Sequence, residues 1–116
     1  MSTQVDLFTN VEPTSVGPAI AKPFVSRSTF YQGYCLVEMD KIADKSVDMI
    51  LCDLPYGTTA CKWDIVIPFE PLWKQYERII KDNGAIVLFG AEPFSSHLRF
   101  SNLKLFKYAW FCDTIK

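Results

Sequence analysis

The chain has 116 residues, of which 49% are apolar and 22% charged. That composition suits one small globular domain, and it argues against a multi-domain enzyme and against a wholly disordered chain. Twelve Lys and Arg against thirteen Asp and Glu give a net charge of −1, without the basic excess of a protein that holds nucleic acid by neutralising phosphates, and no apolar run approaches the ~18 residues of a membrane span.

Residues 1–28 read as an extended or flexible leader. Pro13, Pro18 and Pro23 recur there with Ser and Thr between them, and proline cannot feed a ladder or a helix interior. The first residues lack the basic start and apolar centre of a signal peptide. From Thr29 the pattern changes. Phe30, Tyr31, Tyr34, Cys35 and Leu36 predict a short strand interrupted by Gly33, and residues 37–43 one or two helical turns. Residues 47–52, V-D-M-I-L-C, predict a strand whose near-continuous apolar character fits a buried parallel position.

A helix follows. Pro71 fits a first helical position, and Leu72, Trp73, Tyr76, Ile79 and Ile80 fall on one face, with Lys74, Gln75, Glu77, Arg78 and Lys81 on the other. Asn83-Gly84 reads as its stop. Residues 85–89 predict a second buried strand, 93–100 a second helix, and 105–112 a third strand rich in aromatics. Strand, helix, strand, helix, strand implies α/β architecture with parallel strands and right-handed crossovers. The expected fold is a partial Rossmann-like parallel sheet of about three or four strands with flanking helices. Such a sheet leaves open apolar edges that invite further pairing.

Cys35, Cys52, Cys61 and Cys112 form no C-x-x-C pair. They read as reduced thiols of a cytoplasmic protein, Cys35 and Cys52 buried, and no metal site is expected. His97 is the single histidine and reads as a surface or capping group. The segment 97–116 carries Arg99, Lys104, Lys107 and Lys116 against Asp113, a bias small enough for a solvated face.

In open α/β sheets, ligands sit beyond the carboxyl ends of the strands. The loop after the first buried strand begins Asp53-Leu54-Pro55-Tyr56-Gly57 and continues to Trp63-Asp64. A carboxylate and a backbone carbonyl are both acceptors, and together they can hold the two N–H groups of an exocyclic amine. A nearby aromatic ring can stack on the planar heterocycle that carries it, which is what a nucleobase flipped from a duplex requires. Charge-assisted hydrogen bonds of about 1.5–3 kcal/mol and stacking of about 1–3 kcal/mol are enough to offset the few kcal/mol that flipping costs. Asp-x-Pro-Tyr-Gly is also an ordinary turn sequence.

The stretch 47–57, V-D-M-I-L-C-D-L-P-Y-G, resembles the catalytic strand and loop of the DNA amino-methyltransferases, which methylate N6 of adenine or N4 of cytosine with S-adenosylmethionine. Lys62-Trp63-Asp64, the stretch 69–90, Glu92-Pro93-Phe94 and Ser101-Asn102-Leu103 are similar to the same family, especially its phage and prophage members. The likeness spans residues 29–113, and it implies that 29–116 is a partial methyltransferase domain.

By this resemblance Asp53 and the carbonyl of Leu54 accept hydrogen bonds from the target amine. Pro55 holds the turn and Tyr56 stacks on the flipped base. An acidic first residue favours adenine. Asp53 and Gly57 are the candidate contacts to S-adenosylmethionine. Trp63 and Asp64 fall in a mobile loop near the site, or Trp63 is simply an aromatic anchor leading the helix. The family's usual first proline is replaced by Leu54, and its glycine-bearing cofactor loop has no counterpart, since no G-x-G occurs. The expectation is the amino-terminal part of a DNA methyltransferase, truncated and weak or inactive alone, a degenerate remnant, or one part of a split enzyme completed by another polypeptide or a second copy. The alternatives are a non-enzymatic interaction module that docks through its sheet edges, and a methyltransferase acting on RNA or a protein amide.

Overall fold

The computed structural model describes residues 2–9 and 27–113. The expectations for Pro13, Pro18, Pro23 and Lys116 lie outside the described residues. In chain order the elements are β1 (Ser2–Thr9), α1 (Cys35–Glu38), a 3₁₀ turn (Met39–Lys41), β2 (Val47–Asp53), α2 (Phe69–Ile79), β3 (Ile80–Gly90), α3 (Phe94–Ser101) and β4 (Phe106–Asp113). The class is mixed α/β, with one four-stranded sheet in the order β2-β3-β1-β4.

β2 and β3 are parallel and joined through α2. β1 lies between β3 and β4 and is antiparallel to both. The wholly parallel sheet expected from the sequence is therefore corrected. β3 and β4 run in the same direction but are not neighbours in the sheet, and the strand that separates them comes from the first residues of the chain. Residues 1–28 were expected to be an extended or flexible leader with little structure of its own, whereas Ser2–Thr9 is an interior strand whose two sides both meet a partner.

α2 buries Leu72, Trp73, Tyr76 and Ile79 and leaves Lys74 and Glu77 exposed. Its last carbonyls, which no intrahelical donor reaches, accept from the turn before β2: Lys45 N–H donates to Arg78 O and Ser46 N–H to Ile79 O, each at 2.9 Å. The Arg78 guanidinium fastens that turn, donating to Ile42 O at 2.8 Å and Met39 O at 2.7 Å and pairing with Asp44 at 2.6 Å. The start of β2 is thus tied to the end of α2. For the same reason Asn83-Gly84 is not the helix stop: the chain turns into β3 at Ile80, which pairs with Val47. The register slips before Met49 pairs with Ala85. Within that irregularity a Cβ at Gly84 would sit 2.6 Å from Ile80 Cγ1 and 3.0 Å from Asp48 O, so only glycine fits.

Alternation divides the sheet into two faces. Ile50, Cys52, Ile86 and Leu88 face the helices and join Leu72, Tyr76, Phe94 and Leu98 in the core. Each fully buried leucine there contributes about 1.5–3 kcal/mol of transfer free energy. Met49 and Leu51 alternate with them and are exposed, which corrects the expectation of a strand buried on both faces. Cys35 and Cys52 are half-buried rather than buried, while Cys61 and Cys112 are exposed. No strand forms over 30–36. Gly33 takes φ +148°, and Tyr34 O accepts from Val37 and Glu38 N–H at 3.0 Å to open α1.

No helix of the described residues is long and apolar enough to cross a membrane. None of them form a group of three or more His, Cys, Asp or Glu able to hold a metal ion. His97 is exposed on α3.

Candidate functional site

β2 ends at Asp53, whose side chain is exposed at the carboxyl end of the strand. The residue before it, Cys52, points the other way into the core. Burial pushes its thiol up, and a hydrogen bond with Tyr76 partly offsets this. Burial likewise raises the Tyr76 hydroxyl. Burial thus favours the neutral form of both groups on the inner side of β2.

Leu54 turns back into the core and is only 5% exposed. Leu54 also lines the cleft, where the resemblance implies a role for its carbonyl. Pro55 and Tyr56 are half-buried. The Tyr56 ring stacks on Phe94 with centroids 4.9 Å apart and planes at 28°, and Phe94 in turn meets Phe69 at 5.8 Å. The Tyr56 hydroxyl donates to Asp53 Oδ1 at 3.0 Å. The ring is thus held at both ends, by an aromatic neighbour from the start of α3 and by the carboxylate that closes β2.

The loop then folds over Asp64, which is buried. Its carboxylate accepts from Gly57 N–H at 2.9 Å, Thr59 N–H at 2.8 Å and the Thr59 hydroxyl at 2.7 Å. These bonds, the Thr59 hydroxyl first and then the Gly57 and Thr59 amides, hold the carboxyl at a pKa of about 2, against a smaller opposing effect of burial. Asp64 is therefore a staple of the loop and not a group that exchanges protons with a ligand. Gly57 takes φ +72°, and a Cβ there would come within 2.7 Å of Val66 Cγ2. Neither constraint admits a larger residue.

Asp53, Leu54, Pro55, Tyr56, Trp63 and Asp64 line one cleft of about 390 Å³, together with Thr58 and Thr59. That volume lies within the ~300–1,000 Å³ of small-molecule sites. The cleft holds one exposed carboxylate, one aromatic ring backed by another, and an indole that is 74% exposed. All the residues singled out from the sequence at this loop meet here except Gly57, whose amide is spent on Asp64. Sequence reasoning gave no role to Phe94 as the backing of Tyr56, nor to Asp64 as the staple. The Gly57-x-Thr59 spacing before Asp64 carried a signal for the second, because short side chains and a glycine are what a carboxylate-centred turn requires.

S-adenosylmethionine needs a close backbone approach for its amino-acid end and acceptors for its ribose and ammonium. The described glycines do not supply the first. A Cβ at Gly57, Gly84 or Gly90 would run into Val66, Ile80 or Ser95, and one at Gly33 would meet the carboxylate end of Glu38. Glu92, at the carboxyl end of β3, is taken by Arg99 and Ser96, each at 2.6 Å. The described residues do not fit this cofactor by themselves.

No family model matches the chain, and no solved structure matches it.

Proposed function

We infer that this chain carries the target-base wall of an S-adenosylmethionine-dependent DNA amino-methyltransferase, in a partial Rossmann-like sheet, with N6 of adenine as the target. One observation carries the reading. Asp53 stands exposed where β2 ends, with the Tyr56 hydroxyl 3.0 Å from its Oδ1 and the Tyr56 ring fixed on Phe94. A carboxylate beside a held aromatic ring is suited to a planar heterocycle that bears an amine. Asp53 accepts from that amine and leaves the nitrogen lone pair free of ring conjugation. Tyr56 orients the ring, and Trp63 closes the cleft from the loop side. Asp53 need not remove a proton in advance, because the charge that develops on the nitrogen is stabilised by an acceptor already in position.

The cofactor belongs to this proposal as a group that another polypeptide, or a second copy, helps to hold. The split form is favoured over a self-sufficient enzyme by the closed glycines and by the exposed Met49, Leu51, Tyr108 and Trp110 of the outer strands. An interaction module without catalysis is the second reading, supported by the same exposed side chains. A cytoplasmic location and DNA as partner follow only from the methyltransferase reading.

The test is a titration of the ¹⁵N-labelled chain with deoxyadenosine monophosphate, alongside calorimetry with S-adenosylmethionine. Shifts are expected at the Gly57 and Thr59 amides and the Trp63 indole, lost in Asp53→Ala, with no heat from S-adenosylmethionine at micromolar concentration. Absence of the nucleotide shifts sinks the base-wall reading. Micromolar cofactor binding sinks the split form.

A further inference from the structure

A second cavity, of about 550 Å³, adjoins the cleft and shares Pro55 and Trp63 with it. Tyr34, Lys62, Ile65 and Val66 complete most of its lining. Tyr34 is 54% exposed and Trp63 74%, so two large rings are open to solvent at this one cavity. The two cavities differ in charge. The first holds the carboxylates of Asp53 and Asp64, whereas among the described residues Lys62 is the one charged group that lines the second. Lys62 takes part in none of the ion pairs among the described residues.

We propose that the second cavity takes the nucleotide next to the target base in a single-stranded segment, with the Trp63 indole between the two bases and Lys62 on the phosphate that links them. This rests on the base-wall reading of the first cavity and names its substrate as at least a dinucleotide. Successive bases on aromatic side chains beside a cation are how single strands are held without sequence readout. The acids of the first cavity repel the phosphate and the cation of the second attracts it, which fixes where the linkage lies. Tyr34 supplies a second ring that lines only the outer cavity.

The experiment compares deoxyadenosine monophosphate, the dinucleotide d(ApA), and a dinucleotide with one base removed, on the intact chain. Binding is followed by the Trp63 indole resonance, with buried Trp73, which donates to Ser101 Oγ at 2.7 Å, as internal control. The dinucleotide is expected to bind about tenfold tighter than the monophosphate, the scale of one base–aromatic stack. Tyr34→Ala should remove that advantage and leave the monophosphate affinity unchanged. Lys62→Gln should lower the salt dependence of dinucleotide binding by about 0.7 in the log–log slope, one phosphate's worth for a single strand. Equal affinity of d(ApA) and the abasic dinucleotide, or a Tyr34→Ala chain that keeps the advantage, overturns the inference while the base wall stands. A monophosphate that does not bind in an Asp53-dependent way overturns both. S-adenosylmethionine that shifts the second cavity while d(ApA) does not assigns that cavity to the cofactor and also overturns the inference.

Discussion

The hydroxyl of Tyr56 donates to Asp53 Oδ1 at 3.0 Å, so the ring that faces the cleft also orients the carboxylate that ends β2. The two residues are coupled, and substitutions should separate their roles. Tyr56→Phe keeps the stack on Phe94 and loses the hydrogen bond. Tyr56→Ala loses both. The expectation for adenine nucleotide affinity is a fall of about 3–10-fold in the first, one net hydrogen bond, and at least a further about tenfold in the second, from stacking. Equal losses in both would mean that the ring contributes nothing beyond its hydroxyl.

Asp64 sets the acid stability of the loop. Its carboxyl is held at about 2, below its ordinary 3.8. A group depressed on folding stabilises the fold fully above its unfolded value and loses that contribution as the pH falls through the folded one. The window therefore runs from about pH 4 down to about pH 2. Asp64→Asn should lower the urea midpoint near neutral pH, and the gap from wild type should close on acidification across that window. A gap that stays constant would show that the carboxylate's charge is not what holds Gly57 and Thr59.

Leu54 has a structural reason to be leucine. It is 5% exposed and belongs to the core with Leu72, Phe94 and Leu98. Leu54→Ala should cost about 2–5 kcal/mol in denaturant unfolding. A cost under about 1 kcal/mol would mean that the loop moves freely of the core, and the placement of Asp53 would lose its support.

The thiols should sort by environment. Cys61 and Cys112 are exposed, and Cys52 is half-buried with its thiol pushed up by burial. At mildly alkaline pH an aromatic disulfide reagent should label Cys61 and Cys112 fast and Cys52 slowly, because the thiolate is the reacting form. Fast labelling of Cys52 in the Cys61→Ser, Cys112→Ser chain would place β2 outside the packed sheet.

Much of the architecture was legible where the hydrophobic period is strong. The V-D-M-I-L-C run, the 85–89 run and the face of Leu72, Trp73, Tyr76 and Ile79 all lie in the elements that form. Asp53 could be placed at the carboxyl end of a strand because it closes the apolar run, and β2 ends there. What failed depends on distant partners. Val5 and Leu7 alternate with Gln4 and Asp6, a short strand signal, but only the gap between β3 and β4 makes Ser2–Thr9 an interior strand. Asn83-Gly84 carries turn chemistry, yet the Arg78 clasp ends α2 earlier and hands the chain to β3. The exposure of Met49 and Leu51 follows from the absence of any described helix on that face of the sheet, which no local pattern records.

If Asp53 recognises an exocyclic amine, as proposed, the chain must select among bases by that amine. Deoxyadenosine and deoxyinosine monophosphates differ at the ring position that carries the amine, where inosine presents a carbonyl. The adenine nucleotide is expected to bind at least about tenfold tighter, because with inosine the carboxylate meets an acceptor instead of a donor, and Asp53→Ala should erase the difference. Equal affinity for the two nucleotides on the wild-type chain would contradict the proposal.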